Sequence, residues 1–147
     1  MPWKDFEAAD PSLAAFGRER LHGRVAYLGT SRANGAPRVH PVTPIIGEGR
    51  CFLFMEPTSP KGRDLERDGR FALHCSVSDD TGGSGEFALA GIARRETSAE
   101  TRALAAGLAS YTPEGRYILF ELHPRSALAT VYGDGRPERR EWRAAAP

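Results

Sequence analysis

The chain has 147 residues, with 20 Lys and Arg against 19 Asp and Glu, for a net charge of +1. That length is enough for one domain with a real core, and the near-balance of charge gives no general pull toward nucleic acid or an anionic membrane surface. The longest apolar runs are strand-length, so no transmembrane helix is expected, and two cysteines, Cys51 and Cys75, fall inside strand-like runs and read as buried thiols.

In chain order, Asp10-Pro11 reads as a helix start, with Asp as the cap and Pro at the first helical position. A helix over about 11–21 would turn Leu13, Phe16 and Leu21 to the core, and Gly23 would end the segment. Arg24 to Ser31 is strand-like. Asn34-Gly35 is a strong hairpin signal, since both residues tolerate positive φ. The chain returns along Pro37 to Ile46, turns at Gly47-Glu48-Gly49, and runs again as a strand from Arg50 to Glu56. Pro41 and Pro44 cannot donate to a ladder, so the second strand must hold an edge, a bulge or the lip of a ligand site.

Ser59 to Asp68 reads as a helix with Ser59 at its start, followed by a strand over Phe71 to Ser78. Asp79 to Gly85 is loop-like by composition, and Glu86 to Arg95 is a fifth strand. Ser98 to Ser110 suits an Ala-rich helix. Arg116 to Leu122 and Ala127 to Tyr132 read as a last antiparallel pair, and residues 134–147 as a polar tail holding one large aromatic, Trp142. The expectation is a single domain over 1–147. Its class is mainly β (α+β), a six- to seven-stranded antiparallel split β-barrel with packing helices. The N-terminus carries no signal pattern, and a cytoplasmic protein is expected.

The densest chemistry lies in Ser59-Pro60-Lys61-Gly62-Arg63-Asp64-Leu65. A helix start offers unpaired N–H groups and a partial positive charge, and Lys61 and Arg63 in the first turn make it a plausible phosphate seat. A solvated helix face has the same composition, and this stretch alone does not separate the two. His74-Cys75 is a poor metal pair, because strand neighbours point to opposite faces. His22 and His123 have no evident partners, and Asp79-Asp80 lacks the further oxygens of a calcium loop. No metal site is expected.

Taken together and in order, several elements resemble the pyridoxamine 5'-phosphate oxidase-like family of flavin-binding split barrels. They are the Asn34-Gly35 hairpin, Pro37-Arg-Val-His-Pro-Val42, an aromatic strand, Ser59 to Leu65, an Arg-x-Ala-Leu strand, and Glu86-Phe-Ala-Leu-Ala-Gly-Ile-Ala-Arg94. The resemblance covers roughly residues 12–132, and Lys61-Gly-Arg-Asp-Leu65 is similar also to an element of the branch that uses deazaflavin F420. It implies a homodimer with FMN, or alternatively F420, at the subunit interface. It implies an oxidoreductase acting on a small organic substrate, or else a non-catalytic flavin-binding or storage protein; another branch of the same fold binds and degrades haem.

Carried over residue by residue, the resemblance puts His40, Pro41, Val42 and Thr43 along the flavin. Phe54 and Met55 fall on the next strand, Ser59, Pro60 and Lys61 at the phosphate, and Glu86 of the partner against the ring. Arg38 and Arg63 would compensate for the basic residues that His40 and Pro60 replace. Trp142 would be either an anchor across the dimer or a lid over the ring. No catalytic residue is assigned, because in such enzymes the cofactor carries the chemistry.

Overall fold

A computed structural model describes residues 2–80, 84–133 and 135–146. Four helices and eight strands follow in chain order. They are α1 Trp3–Ala9, α2 Pro11–Leu21, β1 Ala26–Ser31, β2 Pro37–Val42, β3 Ile45–Gly47, β4 Arg50–Met55, α3 Pro60–Arg67, β5 Arg70–Cys75, β6 Glu86–Glu96, α4 Ala99–Leu108, β7 Ile118–Tyr132 and β8 Pro137–Arg143. The fold is α+β and mainly β.

All strands pair antiparallel, in the order β2-β1-β5-β6-β7-β4-β3, with β8 also on β7. The two ends of that path, β2 and β3, are joined only by Thr43 and Pro44. Val42 and Ile45 therefore lie within about 11 Å of each other at full extension, so the sheet has to curl until its edges nearly meet. The proline expectation holds: β2 stops at Val42, and Pro44 sits in the connection that bridges the split.

Two features differ from the sequence reading. Arg116 to Leu122 and Ala127 to Tyr132 are not an antiparallel pair but parts of one long strand, β7, which pairs β6 along its length. Its other edge changes partner: Ile118–Glu121 pair β4, and Ser126–Tyr132 pair β8. Pro124 lies at the change, opposite Gly91, where the β6 register shifts. A Cβ on Gly91 would stand 2.0 Å from the His123 carbonyl oxygen, so only glycine admits this bulge. The polar tail is also a strand, β8, which raises the strand count to eight.

The main core joins inward residues of the barrel to α1 and α2. Trp3, Phe6, Leu13 and Leu21 are fully buried, and Phe16 packs at the rim as expected. The helix α1 was not foreseen; its Trp3 and Phe6 rings meet edge-on at 5.0 Å. A second, smaller core lies on the other face of β3, β4 and β7, where Ile45, Phe52, Phe54 and Leu119 pack under Ala105 of α4. Both cysteines are free and buried. No described helix is long and apolar enough to cross a membrane.

Candidate functional site

The site is built by the β1–β2 hairpin and α3. Asn34-Gly35 makes the hairpin turn as its sequence demands: Gly35 has φ +86° and the Asn34 side chain accepts from Ala36 N at 3.0 Å. In α3, Ser59 is the N-cap, accepting from Gly62 N at 3.2 Å, and Pro60 opens the helix. Gly62 lets the helix lie close on β4. A Cβ there would meet Ser59 Oγ at 2.9 Å and Met55 Sδ at 3.3 Å.

Pro60, Arg63, Asp64 and Arg67 stand at i, i+3, i+4 and i+7, on one face of α3. With Arg32 and Arg38 of the hairpin they line a cleft of about 520 Å3. Its centre is Asp64, 3% exposed. Thr30 Oγ1 donates to Asp64 Oδ2 at 2.8 Å, Arg38 Nε donates to the same oxygen at 2.7 Å, and Arg67 Nη2 donates to Oδ1 at 3.0 Å. Burial pushes the Asp64 carboxyl up, but the bonds from Thr30, Arg38 and Arg67 outweigh it and hold the group below the ordinary aspartate value. Arg67 Nη2 also donates to the Ser31 carbonyl at 2.7 Å. Two guanidinium groups thus hold one carboxylate, and those of Arg32 and Arg63 line the same cleft, an arrangement suited to a phosphate or carboxylate.

Of the residues singled out from the sequence, Arg38, Pro60 and Arg63 come together here. Ser59 is buried and its hydroxyl is used as the cap. Lys61 does not line the cleft. It is half-buried, burial lowers its ammonium pKa, and the charge acting on it is that of Glu56, itself paired with Arg116. His40 sits on β2 with Nδ1 3.1 Å from the Pro41 carbonyl, Pro41 faces outward, Val42 packs on the main core, and Thr43 lies in the connection across the split.

Phe54, Met55, Glu86 and Trp142 do not line this cleft. Phe54 packs under α4, with the Arg102 guanidinium 5.1 Å from its ring centre, and Met55 is 2% exposed in the main core. Alternation along β4 sends the two to opposite faces, each already covered, so neither side chain lines a ligand slot. Trp142 lies on β8 opposite Ala127, and its ring packs 4.7 Å from that of Phe6 in its own chain. Glu86 begins β6, at the end away from α3, where Tyr132 Oη donates to it at 3.4 Å. His22 does have a partner, since its Nδ1 accepts from Ile46 N at 2.9 Å. Part of the loop containing Asp79-Asp80 lies outside the described residues, and among those described no cluster could hold a metal ion.

Asp64 was missed by sequence reasoning, as was Arg32. The i, i+3, i+4, i+7 spacing of Pro60, Arg63, Asp64 and Arg67 carries the signal, whereas the helix start by itself favours Lys61.

Beside the cleft, the outer face of the barrel is open. Register places Pro41, Tyr27, His74, Ala88, Leu128 and Glu141 in one cross-strand row. The next row runs Val39, Gly29, Ala72, Ala90, Ser126 and Arg143. The small residues in the middle leave a shallow apolar trough of about 460 Å3, and Val39 at its rim is 69% exposed.

This architecture is the split-barrel fold of the pyridoxamine 5'-phosphate oxidase-like proteins. No protein-family profile and no curated protein matches the sequence. Solved structures match by fold. A NimC/NimA family protein from Clostridium acetobutylicum aligns with TM-score 0.68 and 15% identity, over 95% of this chain and 96% of that one. A heme binding protein from Mycobacterium smegmatis aligns with TM-score 0.66 and 24% identity over 86% of this chain, which spans only 57% of that protein. HutZ, a heme storage protein from Vibrio cholerae, aligns with TM-score 0.58 and 19% identity, over 78% of this chain and 89% of that one.

Proposed function

We propose that this chain is a flavin-dependent oxidoreductase that binds FMN at a homodimer interface and acts on a small organic substrate. The observation that carries this reading is the arginine cleft around Asp64, formed where the β1–β2 hairpin meets α3. Arg38, Arg63 and Arg67 are the groups that would hold the cofactor phosphate, with Asp64 fixing two of them in place before the ligand arrives. The FMN, once bound, supplies the hydride chemistry.

The open sheet face supports the dimer. Val39, Tyr27 and Leu128 are large apolar side chains left exposed on one continuous surface, and a second copy of the chain would bury them. The side chains along β2 would then lie at the seam between subunits, where His40 and the backbone of Pro41 and Val42 can meet the ring edge. Phe54 packs β4 against α4, and Met55 packs it against Gly62 of α3.

The test is the visible spectrum of the purified protein, followed by melting with added FMN, F420 or haemin. A ligand that binds the native state must raise the melting temperature. A rise of several degrees with FMN, and a flavin band near ~450 nm, supports the reading. A shift with F420 alone moves the protein to the deazaflavin alternative. A Soret band with haemin and no flavin response replaces the reading with haem binding, in line with the heme binding protein from Mycobacterium smegmatis and the heme storage protein HutZ that share the fold. Bound FMN that no nicotinamide or deazaflavin donor reduces leaves a storage protein.

A further inference from the structure

The basic surface does not end at the cleft just described. On the other side of Arg32, Ala33 and Arg67 lies a second cleft of about 620 Å3, lined also by Ser31, Asp68 and Arg70. The two clefts share three lining residues, so they adjoin across Arg32, Ala33 and Arg67 and together reach from β2 past the hairpin to the start of β5. Five arginines, at 32, 38, 63, 67 and 70, face two aspartates, Asp64 and Asp68. The groove therefore carries three net positive charges in a protein whose whole net charge is +1.

The aspartates do more than neutralise. Asp64 holds Arg38 and Arg67 on its two different oxygens, which spaces the guanidinium groups apart along the groove. Asp68 holds Arg70 through Nε and Nη2, at 3.0 and 2.7 Å, and fixes it at the far end. A phosphate monoester carries about −1.5 to −2 at neutral pH. One such group in the first cleft would leave the second cleft cationic and unfilled.

We propose that the two clefts form a single groove for a ligand with at least two anionic groups in succession. The first group lies beside Arg38 and Arg63, and the next beside Arg32, Arg67 and Arg70. The ligand class is a molecule whose phosphate is extended by a further phosphate or carboxylate. The identity of the first group rests on the cofactor reading above; the existence of the second position does not.

The experiment is calorimetric titration of the protein with orthophosphate and with tripolyphosphate. Tripolyphosphate should bind more than about tenfold tighter than orthophosphate. Arg70→Gln should weaken tripolyphosphate about tenfold and leave orthophosphate unchanged, whereas Arg63→Gln should weaken both. Arg139→Gln, on the exposed face of β8, is the control for net charge alone and should change neither. Equal effects of Arg70→Gln and Arg139→Gln on tripolyphosphate would overturn the groove, as would an Arg70→Gln protein that binds it as the parent does. Titrating FMN into the same proteins reads the cofactor proposal separately: no FMN binding with an intact tripolyphosphate response sinks the flavin reading and leaves the groove standing. With FMN in place, tripolyphosphate that competes identifies the second group as the cofactor's extension, and tripolyphosphate that still binds identifies it as a substrate's.

Discussion

Asp64 and Glu121 are both carboxylates with 3% of their surface exposed, and both are held by arginine, yet they sit in opposite electrostatic settings. Glu121, on β7, receives Arg50 Nη2 at 2.7 Å and Arg50 Nε at 2.9 Å. Glu96 lies 3.8 Å from the same guanidinium, and His123 Nε2 is 3.7 Å from Glu121. Acid balances or exceeds base there, and the fork also reaches Thr101 of α4. Around Asp64 the balance is reversed: Arg38 and Arg67 both hold the one carboxylate, and Arg32 and Arg63 stand in the same cleft. A saturated carboxylate ties elements together; an over-supplied one leaves cations facing solvent and ready for an anion. Burial and pairing alone do not separate the two. The sign of the local excess does.

The largest effect is expected from breaking the saturated pair. Glu121→Ala strands Arg50 between β4, β7 and α4 and should cost about 2–3 kcal/mol, less than orphaning a fully dry charge because Arg50 keeps 28% of its side-chain surface. A chain of this size should then melt roughly 8 °C lower. Anion binding at α3 should not change. Loss of orthophosphate binding in a folded Glu121→Ala protein would show that the two carboxylates are not independent.

Asp64→Asn should cost less, about 1–2 kcal/mol, because asparagine keeps an acceptor for Thr30 or Arg38. Its clearer signature is in pH. The folded Asp64 carboxyl lies below its unfolded value, so its contribution is present above the ordinary aspartate pKa, near ~3.9, and fades as pH falls through the lower folded value. Urea midpoints measured from pH 6 downward should therefore fall less steeply for Asp64→Asn than for the parent. Parallel acid limbs would mean that Asp64 is not held ionised by its arginines.

How much of this was legible differs along the chain for physical reasons. Asn34-Gly35, the Ser59 cap and the two prolines of the bridged split are local signals, and each produced the element its chemistry implies. The His123-Pro124-Arg125 interruption in β7 was read as a boundary, because nothing local tells a break from a bulge that a distant glycine makes possible. Strand β8 is polar on nearly every residue, and only pairing with β7 makes it a strand. At the site, Arg38 and Arg63 were visible as basic residues near a helix start. Asp64 was invisible as a hub, since Thr30 and Arg38 reach it from 34 and 26 residues away.

A smaller effect tests how α3 is seated. Gly62→Ala introduces a methyl that must displace Ser59 Oγ or the Met55 sulfur, and should cost about 1 kcal/mol after the flexible methionine yields. Ser59→Ala should cost a similar amount through the lost cap. Both shift α3 rather than its charges, so orthophosphate affinity should drop modestly with the arginines intact. An unchanged affinity would place the anion on the hairpin arginines alone.

The smallest effect belongs to Asp68, on the groove's far rim, whose partner Arg70 is 75% exposed. Its bonds from Arg70 hold its carboxyl at about 2, but solvent screens the pair, and Asp68→Asn should leave the melting temperature where it was. Tripolyphosphate should bind more tightly to that variant, because removing the counter-ion raises the groove's positive excess while Arg70 remains. The contrast with Asp64 sharpens here. Replacing Asp64 also removes a negative charge, yet asparagine offers one acceptor oxygen where the carboxylate holds Arg38 and Arg67 on two, and Arg67 then keeps only its bond to the Ser31 carbonyl. Asp64→Asn should thus weaken the same ligand even as it makes the groove more positive. If both substitutions strengthened binding equally, net charge would account for the site, and the spacing imposed by Asp64 would have no part in it.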